Sequence, residues 1–282
     1  MSDEEREPII RRILVALDAS PHSLAALEAA VALAADVDAE LVGLFVEDAE
    51  LLRLAALPFV REFGLYSATS RPVDALEMEH QLRARAHRAE QALAAMAERA
   101  HVRWSFRIVR GAIAAELLAA AAEADLISLG RVGWSMAGRR RVGSTTRAVL
   151  TQASGPALVV HQGVRLQPPF VAVYDGSALA GKALTIASRL AQGKDGELLV
   201  LVASDDPGEA EWLRARAAEW LQARGVPARF RPLTEKAVPG LLHLLRAERC
   251  GTLILPAESA LLHDEALAEL VEELDFAVLL IR

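Results

Sequence analysis

The sequence predicts an α/β protein with two tandem domains, each a five-stranded parallel sheet with helices on both faces. Three observations support this prediction. Short apolar runs alternate with longer segments of helical periodicity. The same order of runs occurs twice along the chain. The length of 282 residues is also sufficient for two domains of ordinary size. We therefore predict domains at residues 9–163 and 168–282.

The first predicted unit is a strand, a helix and a second strand. Ile13–Leu17 is a continuous apolar run, which is typical of a strand buried on both faces. Ser20 and Pro21 then indicate a helix N-terminus, because serine caps helices and proline fits their first turn. Glu40–Val46 is the next buried strand. This order predicts a right-handed βαβ unit.

An internal repeat starts at the same unit. Asp18 matches Asp175 at an offset of 157 residues, and Glu40 matches Glu197 at the same offset. One offset kept without a gap over about 35 residues is the mark of a repeat. Further along, the offset falls to 127 and then to 120 residues, so the second copy lacks 30 residues in its middle and 7 near its end.

The remaining strands are predicted from apolar runs at matching positions in the two copies. They are Ser105–Val109, Leu126–Leu129 and Ala157–His161, followed by Val171–Tyr174, Glu197–Val202, Ala228–Pro232, Thr252–Leu255 and Ala277–Ile281. Ligands of open parallel sheets bind beyond the carboxyl ends of the strands, where the strand order reverses. A site is therefore expected near Asp18, Val42–Val46, Gly111 and Gly130.

Composition excludes several classes of partner. The chain has 31 Lys and Arg against 38 Asp and Glu, a net charge of -7, which argues against nucleic acid and anionic membranes. No apolar run reaches the length of a membrane span, and the charged N-terminus does not resemble a signal peptide. Cys250, the one cysteine, cannot form an internal disulfide. A cytoplasmic location is expected.

A glycine-rich segment follows the fourth strand and carries Gly130, Gly133, Gly143 and Ser144. Glycines let the backbone approach a phosphate closely, and a helix N-terminus attracts anions. A tight turn followed by a capped helix explains the same residues without a ligand. The dinucleotide pattern G-x-G-x-x-G is absent, and Ser144 stands where a P-loop has lysine, which argues against both of those sites.

The spacing G-x2-G-x9-G-[S/T], with ILVALDAS at the opening and ALVVHQ downstream, resembles the universal stress protein family. The resemblance covers nearly the whole chain as two tandem copies. It implies an adenine nucleotide α-hydrolase-like fold and, for members with the glycine loop, binding of ATP, with or without Mg²⁺. It further implies a stress-response sensor or regulator rather than a high-turnover enzyme.

By position, the resemblance also implies a nucleotide-binding set. Its members are Ala16, Leu17, Asp18, Ser20, Val42, Gly130, Arg131, Gly133, Gly143, Ser144 and Thr145. The Asp18 carboxylate would accept from sugar hydroxyls, Val42 would hold adenine, and the glycine segment would bind the phosphates. The alternatives are that Asp18 caps a helix and that Val42 is a core residue. No catalytic or metal-ligating residue is predicted.

The second copy departs from the glycine pattern. Pro256-Ala257-Glu258-Ser259 follows its fourth strand, and Glu258 adds negative charge where phosphate would lie. We therefore expect no ATP in the second domain. A structural role is expected instead, in which its last strand pairs with that of the first domain as an intramolecular pseudo-dimer. A homodimer of the whole chain is compatible with this arrangement, and the sequence does not identify a protein partner.

Two segments of the sequence fit more than one interpretation, and so does the function of the protein. Leu51–Tyr66 is an apolar segment that fits a lid, an oligomer contact or a helix packed on its own sheet. Arg139–Arg141 fit a grip on the γ-phosphate or a solvated basic loop. For the whole protein, a nucleotide-free scaffold and a slow ATPase remain possible. An ATP-dependent ligase is disfavoured because the loop after the first strand is not of the S-G-G-x-D-S type.

Overall fold

A computed structural model describes residues 10–57, 59–63, 70–72, 74–131, 142–194, 196–233, 238–258 and 264–282. The first half contains β1 (Arg12–Ala16), α1 (Pro21–Val37), β2 (Glu40–Asp48), α2 (Ala49–Ala55), β3 (Arg61–Phe63), β4 (Ser70–Pro72), α3 (Ala75–Arg99), β5 (Trp104–Gly111), α4 (Ile113–Ala121), β6 (Leu126–Gly130), α5 (Ser144–Gln152) and β7 (Ala157–Val160). The second half contains β8 (Phe170–Tyr174), α6 (Ala178–Gly193), β9 (Leu198–Val202), α7 (Pro207–Gln222), β10 (Ala228–Pro232), α8 (Val238–Ala247), β11 (Thr252–Pro256), α9 (Asp264–Glu273) and β12 (Ala277–Ile281).

The main sheet has ten strands in the order β10-β9-β8-β11-β12-β7-β6-β1-β2-β5. Within each half the five strands are parallel and follow the same order. The α/β fold class predicted from the sequence is confirmed. The predicted strands are all present, and their ends differ from the predicted ones by at most two residues.

The two halves meet at their last strands. β12 pairs antiparallel with β7, with Leu279 opposite Leu158 at the centre of the pair. Both side chains are fully buried. Hydrogen bonding therefore continues from one half to the other, and the sheet has one antiparallel step in its middle.

The helices form two layers, one on each face of the sheet. Side chains of α1, α3, α6 and α7 pack in one apolar core, and side chains of α4, α5, α8 and α9 pack in the other. Strand residues alternate between the two: Val15 contributes to the first core and Leu14 to the second. Among the described residues, no helix is long and apolar enough to cross a membrane.

The first helix of each half begins with a serine N-cap. The Ser20 hydroxyl accepts a hydrogen bond from the Ser23 N–H at 3.2 Å, and the Ser177 hydroxyl accepts one from the Ala180 N–H at 3.1 Å. These caps satisfy donors that have no partner within the helix. They fix where each helix leaves the turn that follows the first strand of its half.

The apolar segment Leu51–Tyr66 forms more than one element. The Asp48 carboxylate caps α2 by accepting from two N–H groups of its first turn, at 2.9 and 3.2 Å. Ala55 of this helix is buried, whereas Phe59 is 75% exposed. Leu65 and Tyr66 lie outside the described residues. The interpretation as a helix packed on its own sheet accounts for only part of the segment.

Candidate functional site

A cleft of about 340 Å³ opens at the carboxyl ends of β1 and β6 in the first half. These strands are neighbours, and the strand order reverses between them, which is where open parallel sheets bind ligands. Eight of the residues predicted from the sequence line it: Ala16, Leu17, Asp18, Ser20, Gly130, Gly143, Ser144 and Thr145. The structure thus brings together two segments that are more than one hundred residues apart in the sequence.

A tight turn holds Asp18 at the edge of the cleft. Its carboxylate accepts a hydrogen bond from the Ser20 N–H at 2.9 Å. Ala19, between them, has a left-handed backbone with φ of 60°. The helix cap of α1 is supplied by Ser20, so Asp18 shapes the turn before the helix rather than capping the helix itself.

Gly130 is required by packing at the end of β6. A Cβ atom there would lie 2.7 Å from the carbonyl carbon of His22 and 2.9 Å from its oxygen, which is closer than any side chain tolerates. The Gly130 carbonyl accepts a hydrogen bond from the Thr146 hydroxyl at 2.8 Å. This glycine therefore lets β6 pass against α1 and ties the strand end to α5.

The N-terminus of α5 forms one wall of the cleft. Its N-cap is Gly143, and no side chain in the described part of the chain caps it. The same holds for α4, whose N-cap is Ala112 and whose first residue, Ile113, also lines the cleft. Uncapped first-turn N–H groups and the helix dipole make the start of α5 electropositive, because its first turn has no acidic residue. The first turn of α4 carries Glu116, whose carboxylate offsets the dipole at that end. The cleft therefore combines a carboxylate with one helix end that favours an anion.

Arg131 does not line the cleft. Its N–H donates to the Val160 carbonyl at 2.8 Å, and its carbonyl accepts from the Gly143 N–H at 2.9 Å. Its guanidinium donates to backbone oxygens of the second half, including that of Leu274 at 2.9 Å. Neither the Arg131 nor the Gly143 N–H is left for a phosphate in this structure. Gly133 and Arg139–Arg141 lie outside the described residues.

Val42 is placed in the core rather than at the cleft. It is 3% exposed and pairs in register with Leu14, two residues before the level at which Ala16 pairs with Leu44. The residues of β2 that line the cleft are Leu44–Val46 and Asp48. Val42 is therefore a core residue, as the alternative interpretation expected, because the cleft begins two residues further along β2.

Sequence reasoning missed Arg85 and Asp48, which also line the cleft. Arg85 belongs to α3, the long helix that only the first half carries at this length. The helix α3 contains several arginines with similar sequence neighbours, so no sequence pattern distinguishes Arg85 from the others. Asp48 follows a predicted strand, and its place at a strand end was an available signal.

His22 lies beside the cleft in the first turn of α1. Its Nδ1 accepts a hydrogen bond from the Gln162 N–H at 3.2 Å, which needs an unprotonated nitrogen. Burial lowers the pKa of His22 below its ordinary value, and the nearby Arg131 and His161 lower it further, against an opposing effect of Asp18. We therefore expect a neutral imidazole at this edge of the site.

Some solved structures share this fold over 98% of the chain, and others are similar to about half of it. A universal stress protein from Archaeoglobus fulgidus has 18% identity and a TM-score of 0.73, with 98% of this chain and 99% of that chain covered. A putative universal stress protein from Pseudomonas aeruginosa has 15% identity and a TM-score of 0.62, covering 98% and 94%. A universal stress protein in complex with cAMP has 24% identity and a TM-score of 0.40, covering 55% and 99%.

No curated protein matches the chain. The model of the universal stress protein family matches residues 10–161, which is more than half of the chain and contains all of β1–β7. That region also carries the cleft and its described lining residues. The chain therefore belongs to the universal stress protein family.

Proposed function

We propose that the first half of this protein binds an adenine nucleotide, namely ATP with or without Mg²⁺, and that the protein acts in the cytoplasm as a stress-response sensor or regulator. The observation that carries the proposal is one cleft in which the Asp18 carboxylate faces a strand-end site bordered by the uncapped N-terminus of α5. A carboxylate suits sugar hydroxyls, and a helix N-terminus suits phosphate. Family membership supports the same ligand class.

The lining divides into parts that match the parts of the ligand. Leu17 and Leu44–Val46 give an apolar wall suited to a base. Asp18 stands at the strand end for the ribose, and Ser144 and Thr145 offer hydroxyl and N–H donors for phosphates. Arg85 adds a cation to the same cleft, which suits an anionic ligand.

The carboxylates support binding rather than rapid turnover. Asp18 already accepts the Ser20 N–H, and Asp48 accepts two N–H groups as the cap of α2. These hydrogen bonds engage one oxygen of each carboxylate in shaping the backbone. A general base must also lie within hydrogen-bond reach of the attacking water, and the cleft geometry assigns neither carboxylate to that position. Slow ATP hydrolysis is therefore kept as the alternative and a regulatory role is preferred.

The second half is proposed to bind no nucleotide. It keeps the first-strand turn, in which the Asp175 carboxylate accepts from the Ser177 N–H at 3.0 Å. However, Leu213 of α7 lies against that turn at Gly176, and the exposed Glu258 follows β11. With domain limits of 9–163 and 168–282, the β7–β12 pairing would make the second domain an in-chain counterpart of a dimer partner.

Calorimetric titration of the full chain with ATP tests the proposal through two matched variants. Asp18→Asn keeps an oxygen for the Ser20 N–H but removes the charge, and we expect about a tenfold weaker affinity, since hydrogen bonds to charged groups contribute about 1.5–3 kcal/mol. Asp175→Asn makes the same change in the second half and should leave affinity unchanged. A wild-type chain that binds no ATP would favour the nucleotide-free scaffold, and two sites per chain would contradict the assignment to the first half.

A further inference from the structure

The start of α5 is contacted by the second half of the chain. The carboxylate of Glu272, in the last turn of α9, accepts a hydrogen bond from the Val142 N–H at 3.4 Å and pairs with the Arg147 guanidinium at 3.0 Å. Backbone oxygens at the same end of α9 accept from the Arg131 guanidinium, at 3.2 Å for Glu272 and 2.9 Å for Leu274. One turn of the second half thus holds three residues of the first.

These three residues flank the wall of the cleft. Val142 directly precedes the lining segment Gly143–Thr146, and Arg147 directly follows it. Arg131 reaches the same segment through its carbonyl, which accepts from the Gly143 N–H at 2.9 Å. The three first-half residues that are hydrogen-bonded to Glu272 are therefore adjacent to, or hydrogen-bonded to, the segment that carries Ser144 and Thr145.

The charges on the two sides of this contact are complementary. Helix C-termini carry partial negative charge, so the last turn of α9 and its carboxylate attract both arginines. The Glu272 side chain is 25% exposed and that of Arg147 is 52% exposed. Solvent screens such a pair, so it contributes little to the overall stability of the fold. The main consequence is geometric, because it holds the start of α5 in one place.

We infer that Glu272 is a positioning residue for the nucleotide site of the first half, through which the second half regulates that site. The inference rests on the proposed function. The second half, which lacks the glycine pattern, would then contribute to binding by keeping Ser144 and Thr145 directed at the ligand. Coupling between two sites is reciprocal, so a bound nucleotide must in turn strengthen the contact between α5 and α9.

The test uses the full chain, ATP as the ligand, and three variants of adjacent residues. Glu272→Ala removes the oxygen that accepts from both the Val142 N–H and the Arg147 guanidinium, and we expect roughly fivefold weaker ATP binding, at the low end of ordinary coupling. Glu272→Gln keeps an oxygen for the Val142 N–H but loses the charge, so a smaller loss of about twofold is expected. Glu273→Ala is the matched control, because Glu273 pairs at 3.7 Å with Arg246 inside the second half and should leave affinity unchanged.

Amide hydrogen exchange supplies a readout that a purely structural role would not change. In the wild type and in Glu273→Ala, ATP should slow exchange at residues 270–281, which comprise the end of α9 and β12. In Glu272→Ala this response should be lost while exchange without nucleotide stays the same.

The outcomes separate the two proposals. If the wild type binds ATP and Glu272→Ala binds as tightly as Glu273→Ala, the positioning role is overturned and the nucleotide site stands. If the wild type binds no ATP, both proposals fail. If the alanine variant does not fold, the glutamine variant decides, and an affinity equal to that of Glu273→Ala overturns the inference.

Discussion

Ala19 and Gly176 occupy the same turn in the two halves of the chain, and both have a left-handed backbone, with φ of 60° and 81°. In each turn the preceding aspartate accepts the N–H of the following serine, at 2.9 Å in the first half and 3.0 Å in the second. A left-handed backbone costs about 1–2 kcal/mol for a residue with a Cβ and little for glycine. The first half therefore carries strain directly beside the residue proposed to bind the ribose.

Replacing Ala19 by glycine should stabilise the protein. The variant removes the left-handed cost of about 1–2 kcal/mol but adds chain entropy of about 0.5–1 kcal/mol to the unfolded state. We expect the free energy of unfolding to rise by about 0.5–1 kcal/mol, measured by urea denaturation. A lower stability of the glycine variant would show that the alanine side chain makes a compensating contact.

The reverse change at Gly176 should destabilise the protein by more than backbone strain alone. A Cβ there would lie 2.5 Å from the Cδ2 atom of Leu213. Gly163 is the matched control, since its φ is 83° and a Cβ would meet nothing within 4 Å. Gly176→Ala should therefore cost about 1 kcal/mol more than Gly163→Ala in urea denaturation. Equal losses would mean that Leu213 moves aside freely.

The sheet was predictable because its strands are local patterns. Runs such as Ile13–Leu17 are buried on both faces, so the chain shows their position without reference to any partner. The repeat then supplied the topology, since Asp18 and Asp175 had to end equivalent strands. The pairing of β7 with β12 was expected from the family resemblance and not from a local pattern, because it depends on how the two halves dock.

The site residues that lie at strand and helix ends were predictable from the sequence. Those whose place depends on their depth in the sheet, or on contacts between the two halves, were less predictable. Val42 lies on the correct strand, but the register with β1 places it one layer below the cleft. Arg131 lies beside a glycine, but its side chain is drawn to the end of α9 in the other half. Arg85 reaches the cleft because α3 packs on α2 and the sheet, a tertiary contact with no sequence signal.

Stability should fall at mildly acid pH in a way that depends on His22. Its pKa is lowered in the folded protein, mainly by burial, so the unfolded chain takes up the proton first as pH falls through about 6.5. The free energy of unfolding should therefore drop between about pH 7.5 and 5.5. His22→Gln, which keeps an acceptor for the Gln162 N–H, should show a smaller drop. Parallel curves for the two proteins would contradict the assignment.

Phosphate recognition should depend on Ser144 and Thr145 more than base recognition does. Ser144→Ala and Thr145→Val each remove one hydroxyl beside the uncapped end of α5, and we expect roughly threefold to tenfold weaker ATP binding. Affinity for adenosine, which has no phosphate, should change by less than about twofold in calorimetric titration. Thr151→Val is the control, because the Thr151 hydroxyl lies near the other end of α5 and donates to the Arg147 carbonyl within that helix. Equal losses for ATP and adenosine would place the phosphates elsewhere.

Arg282 should contribute strongly to the stability of the whole chain. Its guanidinium donates to the carbonyls of Val149, Leu150 and Ala153, at the end of α5 in the other half. These three residues are buried, with Leu150 only 1% exposed, and their bonds to Arg282 are partly buried, so water can replace the lost donors only in part. Arg282→Met keeps much of the side-chain volume but removes this donor from the Leu150 and Ala153 carbonyls, whereas the Val149 carbonyl still accepts from the Ala153 N–H. An unsatisfied buried polar group costs about 1–3 kcal/mol, and we expect a total loss of about 2 kcal/mol because these bonds are only partly buried.

Urea denaturation compares that variant with Arg246→Met. Arg246 also donates to a helix-end carbonyl, that of Glu273 at 3.3 Å, but its side chain is 58% exposed. Water can take over there, so we expect a loss below about 0.5 kcal/mol, against about 2 kcal/mol for Arg282→Met. Similar losses in the two variants would mean that the carbonyls at the end of α5 find other donors, and that the second half holds α5 mainly through Glu272.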